Sequence, residues 1–358
     1  MPDSFLLRRI LLTFDQQAEE IVSDLSAIAK TPDGSLWAAS DEPQTIERLK
    51  PLEVGHYGAH QSFHLGDFVE LADADSEIDI EGIDYSEGYL WIVGSHSLKR
   101  KKPKGKKVEK DLRRLAKIER ETNRYLLARI PLSDGEPVKA LMPSANAEEQ
   151  LSAAALPFTD IGNPLMEALA RDDFLGPFIQ AQIPSKDNGF DIEGIAVRGQ
   201  RVLLGLRGPV LRGWATILEL ELALVAPGCL QLKPLEEQHL YRKHFLNLNG
   251  LGVRELCYQG NDLIILAGPT MELDGTQQVF RLKDVWDSGK EQLWHQDNGK
   301  LRWLFDLPMA SRADRAEGLT LVSCLGSEQG LMVAYDAPAD SRRPSSQSVF
   351  VDVFQLPD

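Results

Sequence analysis

Apolar residues in this chain come in short runs set apart by turns and charges, and the runs follow a recurring string. Asp-Ile-Glu-Gly-Ile stands at Asp79–Ile83 and again at Asp191–Ile195. Weaker copies lie at Gly252–Leu256 and Arg315–Leu319, and a copy without the acid lies at Leu25–Ile28. After each comes a polar turn and then an apolar run: Ser35–Ser40, Tyr89–Val93, Arg201–Leu206, Asp262–Ala267 and Gly330–Ala334. With Ser26, Glu81, Glu193, Glu255 and Glu317 as anchors, the copies stand 55, 112, 62 and 62 residues apart.

Repeats of this length built from strand-like runs predict an all-β chain folded as a single β-propeller domain over residues 1–358, one four-stranded antiparallel blade per repeat. A helical solenoid would repeat faster and with helical periodicity. In the third copy the strands read Asp191–Val197, Gln200–Leu206, Ala215–Leu222 and Leu230–Tyr241. Ser348–Leu356 leaves the fifth blade one strand short, and Phe5–Phe14 has the pattern to complete it. Closing the ring with both termini hides edges that would otherwise pair with other chains.

Two stretches break the rhythm. Residues 98–124 carry Lys99–Lys107, seven positive charges in nine residues, followed by Val108–Tyr125, whose spaced Leu112, Leu115 and Ile118 suit a short exposed helix. They read as an insertion within blade two. Residues 143–188 contain Asn163-Pro164, a helix-start signature, and read as a helical excursion between blades two and three. Five blades are expected, or six if that stretch conceals a degenerate one.

Composition adds little to this picture. No apolar stretch is long enough to span a bilayer and the N-terminus lacks an apolar core with a cleavage site, which argues against a membrane or export. Cys229, Cys257 and Cys324 have no metal-ligand spacing and read as reduced thiols, so a cytoplasmic location is expected. A net charge of −15 makes nucleic acid an unfavourable partner.

In a propeller the start of each innermost strand and the end of the next face one mouth. Glu81, Glu193, Glu255 and Glu317 would meet there with Ser40, Asp41, Ser95, His96, Arg207, Gly208, Pro269, Thr270, Tyr335 and Asp336. A bare ring of four carboxylates would cost on the order of 10 kcal/mol. Three remedies exist: a cation held by Glu81, Glu193, Glu255 and Glu317, with oxygen ligands favouring Ca²⁺ or Mg²⁺; the arginines Arg207, Arg254 and Arg315; or protonation of some acids. Alternatively each glutamate braces its own blade by accepting backbone N–H bonds from its neighbour. Arg207, flanked by glycines, is placed to hold an anion, and His96 to move a proton.

The strings Asp-Ile-Glu-Gly-Ile, Gly94-Ser95-His96-Ser97 before a basic insertion, Asn123–Arg129, Asn188–Gly194 and Gly205–Pro209 together resemble a bacterial propeller family, domain of unknown function 3616. The resemblance implies a propeller and no established activity. More distantly, the Glu-Gly start of the inner strands is similar to esterase-like phytase propellers and to calcium-dependent lactonase propellers. The asparagine and aspartate ligands that the lactonase likeness implies have no match in the later blades. Two functions are expected as alternatives. One is a divalent-cation-dependent hydrolase of a small ester or phosphoester, with a small anionic molecule in the mouth. The other is a non-catalytic propeller that binds a protein or peptide there with the help of its polybasic arm.

Overall fold

The structure, a computed structural model, describes residues 6–16, 19–142, 150–235, 239–271, 274–308, 313–325 and 327–357. The chain is mostly β, folded into antiparallel meanders. The first runs Leu25–Lys30, Leu36–Ser40, Thr45–Glu53 and His56–His64. The second runs Ile80–Ser86, Tyr89–Gly94 and Leu127–Ser133, with the two-residue Ala154–Ala155 outside. The third begins Asp191–Arg198, Arg201–Leu211 and Trp214–Ala226. The fourth runs Gly252–Gln259, Asp262–Gly268, Gln278–Leu282 and Leu301–Asp306. The last runs Arg315–Cys324, Ser327–Asp336 and Ser348–Gln355, and Leu6–Thr13 pairs antiparallel with Ser348–Gln355.

The leading strands pack against one another in cyclic order. Leu25–Lys30 lies against Ile80–Ser86, which lies against Asp191–Arg198, then Gly252–Gln259, then Arg315–Cys324, which lies against Leu25–Lys30 again. Apolar clusters fill the spaces between successive meanders: Trp37 with Ile83 and Ile92, Trp91 with Ile195 and Leu204, Leu203 with Val253 and Ile265, Leu266 with Leu319 and Val333, and Met332 with Leu12 and Leu36. A sheet covered on both faces needs no polar face, so Tyr89–Gly94 is buried at every residue and reads in the sequence as one unbroken apolar run. The arrangement is propeller-like.

The third meander departs from the expected reading. Its fourth strand is Tyr241–Leu246, not Leu230–Tyr241. Trp214–Ala226, thirteen residues long, overshoots its neighbours, and the overhang pairs with Gly228–Lys233 before the chain returns. Gly228–Lys233 then joins Ala154–Ala155 in parallel and welds the second and third meanders into one sheet.

Between Tyr89–Gly94 and Leu127–Ser133 the chain forms a finger. Its stem is the strand pair Lys99–Arg100 with Ile118–Glu119, and its tip carries the helix Val108–Ala116, which buries no residue. Lys99 pairs with Glu77 at 2.5 Å, Arg100 with Asp187 at 2.7 Å, and Ser185 N–H donates to Leu98 O at 3.0 Å, so the stem is fixed to the body.

In the stretch 143–188, residues 143–149 lie outside the described residues. Beyond them Pro164–Leu169 and Gly176–Gln180 are helical. Asn163 Oδ1 accepts from Met166 N–H at 3.1 Å and Pro164 takes the first turn, as an N-cap requires. Leu165, Met166, Leu169 and Leu175 bury themselves against the second and third meanders.

Candidate functional site

Each leading strand carries a β-bulge near its start. The register against the following strand skips Ser26, Glu81, Glu193, Arg254 and the pair Glu317-Gly318. A bulge re-aims a side chain out of the strand's alternation, and here it gathers these residues toward one end of the packed strands. The residue after the bulge must be small because the next leading strand comes close. A Cβ on Gly82 would stand 3.1 Å from Ile195 N, and one on Gly194 would stand 2.9 Å from the Cα of Glu255. The recurring Glu-Gly is therefore a side chain for the mouth followed by room for the neighbour.

In the fourth meander the bulge residue is Arg254, one position before the expected anchor Glu255. Arg254 Nε lies 2.9 Å from Glu193 Oε2, and its Nη2 pairs with Glu317. Glu255 is 1% exposed and faces the neighbouring strand. Its Oε1 accepts from Ile195 N–H at 3.1 Å and Leu256 N–H at 2.8 Å. Burial nevertheless pushes its carboxyl well above the ordinary range.

The other acids divide into paired and unpaired. Arg207 pairs with Asp191 and, at 2.5 Å, with Glu193. Arg124 pairs with Asp79. Glu81 is 8% exposed and has no hydrogen-bond or ion-pair partner among the described residues. Carboxylate oxygens of Asp41, Asp79 and Glu81 lie within 4.8 Å of one another, the one such grouping of three or more His, Cys, Asp or Glu ligands among the described residues. Burial first, and then the surrounding acids, raise both Glu81 and Asp41 well above the ordinary carboxylate range. Six carboxylates, Asp41, Asp79, Glu81, Asp191, Glu193 and Glu317, thus meet the three guanidinium groups of Arg124, Arg207 and Arg254. Lys186 and Asp336 act on Asp41 with opposite sign.

His96 sits at φ 55°, in the left-handed region, 1% exposed. Its Nδ1 donates to Gly94 O at 2.7 Å, and its Nε2 accepts from Asn163 Nδ2 at 2.8 Å, which fixes a neutral ring. Burial lowers its pKa to about 4. Both nitrogens are engaged by protein, and the ring stands edge-on to Tyr125, with centroids 5.8 Å apart.

The family profile described as Protein of unknown function (DUF3616) matches residues 24–352. The chain belongs to this family. A search of curated proteins returns no match. Among solved structures, virginiamycin B lyase from Staphylococcus aureus is 10% identical over 98% of this chain and 99% of its own, with a TM-score of 0.37. An assigned gluconolactonase is 13% identical over 93% of this chain and 74% of its own, with a TM-score of 0.41. At these scores neither carries an argument about this DUF3616 protein.

Of the residues expected at the mouth, the structure brings Glu81, Glu193, Glu317 and Arg207 together with Arg254. It sets Glu255 in a strand interface and turns the ring of His96 toward Asn163. Asp79, Asp191 and Arg124 were not among the expected site residues. A signal for the aspartates is present: both open the string Asp-Ile-Glu-Gly-Ile, so a repeated acid two places before the glutamate marks the same rim. Arg124 comes from a segment outside the repeat and has no such mark.

Proposed function

We propose that the meanders are the five blades of one closed propeller, with Leu6–Thr13 completing the last, and that its mouth holds a divalent cation on Asp41, Asp79 and Glu81. Glu81 carries the reading. Among the described residues it is a buried carboxylate without a protein partner, beside two other carboxylates, in a cluster where acids outnumber guanidinium groups by three. An isolated buried charge is costly and calls for a counter-ion or a proton. Three carboxylates suit a hard ion, Ca²⁺ or Mg²⁺, better than Zn²⁺. Glu193 and Glu317, neutralised by Arg254 and Arg207, would frame the ligands without joining them.

The activity this supports is hydrolysis of a small ester or phosphoester. A cation held by Asp41, Asp79 and Glu81 would supply charge to polarise the scissile group and would lower the pKa of a bound water. Arg207, locked between Asp191 and Glu193, is positioned to orient the anionic part of a substrate. With both nitrogens of His96 engaged, proton transfer falls to the mouth carboxylates, and His96 holds the loop whose Ser95 N–H donates to Asp79 O at 3.0 Å.

A second reading, a non-catalytic propeller for a protein or peptide, is favoured by a different observation. The finger presents Val108, Leu112 and Leu115 to solvent, 77%, 61% and 42% exposed, beside the basic run.

Calorimetry with Ca²⁺ and Mg²⁺ tests the site. Binding that disappears in both Glu81→Gln and Asp41→Asn supports it, and binding that survives both removes it. A screen of aryl esters and aryl phosphates, with and without chelator, then separates the two functions. Cation binding without turnover leaves the partner-binding reading.

A further inference from the structure

Behind the mouth, where the excursion helices meet the stem of the finger, the structure holds a cavity of about 200 Å³. Tyr125, Met166, Phe178, Ile183 and Phe190 wall it, with Ala170 on the helix side. Leu98 and Arg120, the residues that bracket the finger stem, stand at its edge. Tyr125 and Phe190 line this cavity, while the adjoining Arg124 and Asp191 are ion-paired in the acidic mouth. The two sites adjoin, and His96 stands in the wall of the cavity.

The polar furnishing of the cavity is asymmetric. Its depth is mostly apolar, with the buried His96 in the wall and both of its ring nitrogens already engaged, whereas Arg120, Gln180 and Gln182 lie at the surface. Arg120 is exposed, donates one hydrogen bond, to Asp160 O at 3.2 Å, and has no ion pair among the described residues. That is notable in a chain of net charge −15. Beside it rises the finger, whose Lys104, Lys106 and Lys107 add positive potential. An apolar cavity of about 150 Å³ stays dry and accepts benzene.

We propose that this cavity binds the apolar end of a small anionic amphiphile, a carboxylate or phosphate monoester bearing a ring or a chain of about six to eight carbons, with Arg120 meeting its charge. The walls disfavour a ligand that is polar throughout, because Met166, Phe178, Ile183 and Phe190 offer it no hydrogen bond. The lone guanidinium selects an anion over a neutral or cationic head.

The test is calorimetry of the full chain with octanoate, octyl phosphate, octanol and butyrate. Octanoate or octyl phosphate is expected to bind, with the stronger of the two identifying the head group, and butyrate to bind at least about tenfold more weakly for want of buried chain. Arg120→Gln should weaken the anions about threefold to tenfold and leave octanol unchanged. Ala170→Leu, which fills the cavity, should abolish binding of all of them. Should Ala170→Leu fail to fold by circular dichroism, Ile161→Trp at the exposed rim narrows the entrance without touching the core and carries the same expectation. Absence of binding to the unaltered protein at millimolar ligand, or equal binding to the filled variant, overturns the proposal. Equal loss of octanol and octanoate on Arg120→Gln overturns the role of the charge.

Discussion

Glu255 Oε1 accepts a hydrogen bond from the backbone N–H of Ile195 at 3.1 Å, across the boundary between two neighbouring inner strands. At the aligned position of the second and third copies stands Gly82 or Gly194, where the neighbouring backbone comes too close for a side chain. The fourth copy substitutes a bond for that close approach. One of the four acids that the sequence offers as ligands is therefore a clamp between sheets.

Glu255→Ala should cost about 2 to 4 kcal/mol, since it leaves the N–H groups of Ile195 and Leu256 buried without an acceptor. Glu255→Gln, which keeps a carbonyl oxygen there, should cost less than half as much. Urea unfolding midpoints decide it. Equal midpoints for Glu255→Ala and the unaltered protein would show that the clamp bears no load.

Arg254 is shared by Glu193 and Glu317. Replacing it by Met should destabilise by about 3 to 5 kcal/mol, because two buried carboxylates lose a common counter-charge. Lysine should restore part of this, as it keeps the charge but not the fork. A Met variant as stable as the unaltered protein would mean that the arginine contributes no net stability.

Glu81→Gln removes a charge that repels its neighbours, so the metal-free variant should melt above the unaltered protein. Added Ca²⁺ or Mg²⁺ should raise the melting temperature of the unaltered protein, by about 2.7 kcal/mol of stability at a hundred times the dissociation constant, and leave the variant where it is. A cation response of the same size in both would locate the ion elsewhere.

His96 sets a dependence on acid. Its folded pKa is lowered to about 4, from about 6.5 in the unfolded chain. The neutral ring is the folded form, so its contribution is complete above pH 6.5 and is lost as pH falls toward 4, by about 3 kcal/mol in all. The difference in unfolding free energy between the unaltered protein and His96→Gln should therefore shrink from pH 7.5 to pH 4.5. A difference that stays constant with pH would contradict a ring held neutral between Gly94 and Asn163.

The inner strands were legible because one repeated pair of residues serves two needs at once, a side chain for the mouth and space for the neighbouring backbone. The slip at the fourth copy has the same origin. The bulge conserves a place in the register rather than a charge, so an arginine fills it and the adjacent acid misleads. Asp41 was visible as the residue just past Leu36–Ser40, at the end of a second strand. It was expected to share the mouth with Glu81, but the close grouping of both with Asp79 was not legible, since it depends on how the end of Leu36–Ser40 and the start of Ile80–Ser86, from two meanders, come together. The fourth strand of the third meander was misread because nothing in the apolar run from Ala215 to Leu224 marks where its partner changes.

Leu6–Thr13 pairs along nearly its whole length with Ser348–Gln355, while its ladder to His56–His64 is limited to Leu11 and Leu12. During synthesis Leu6–Thr13 thus lacks most of its partner until Ser348–Gln355 has followed it. A sequence separation this large makes the final pairing slow compared with the hairpins between them. Through that interval both strand edges are open to other chains, and a chain cut short near its C-terminus would stay in that condition.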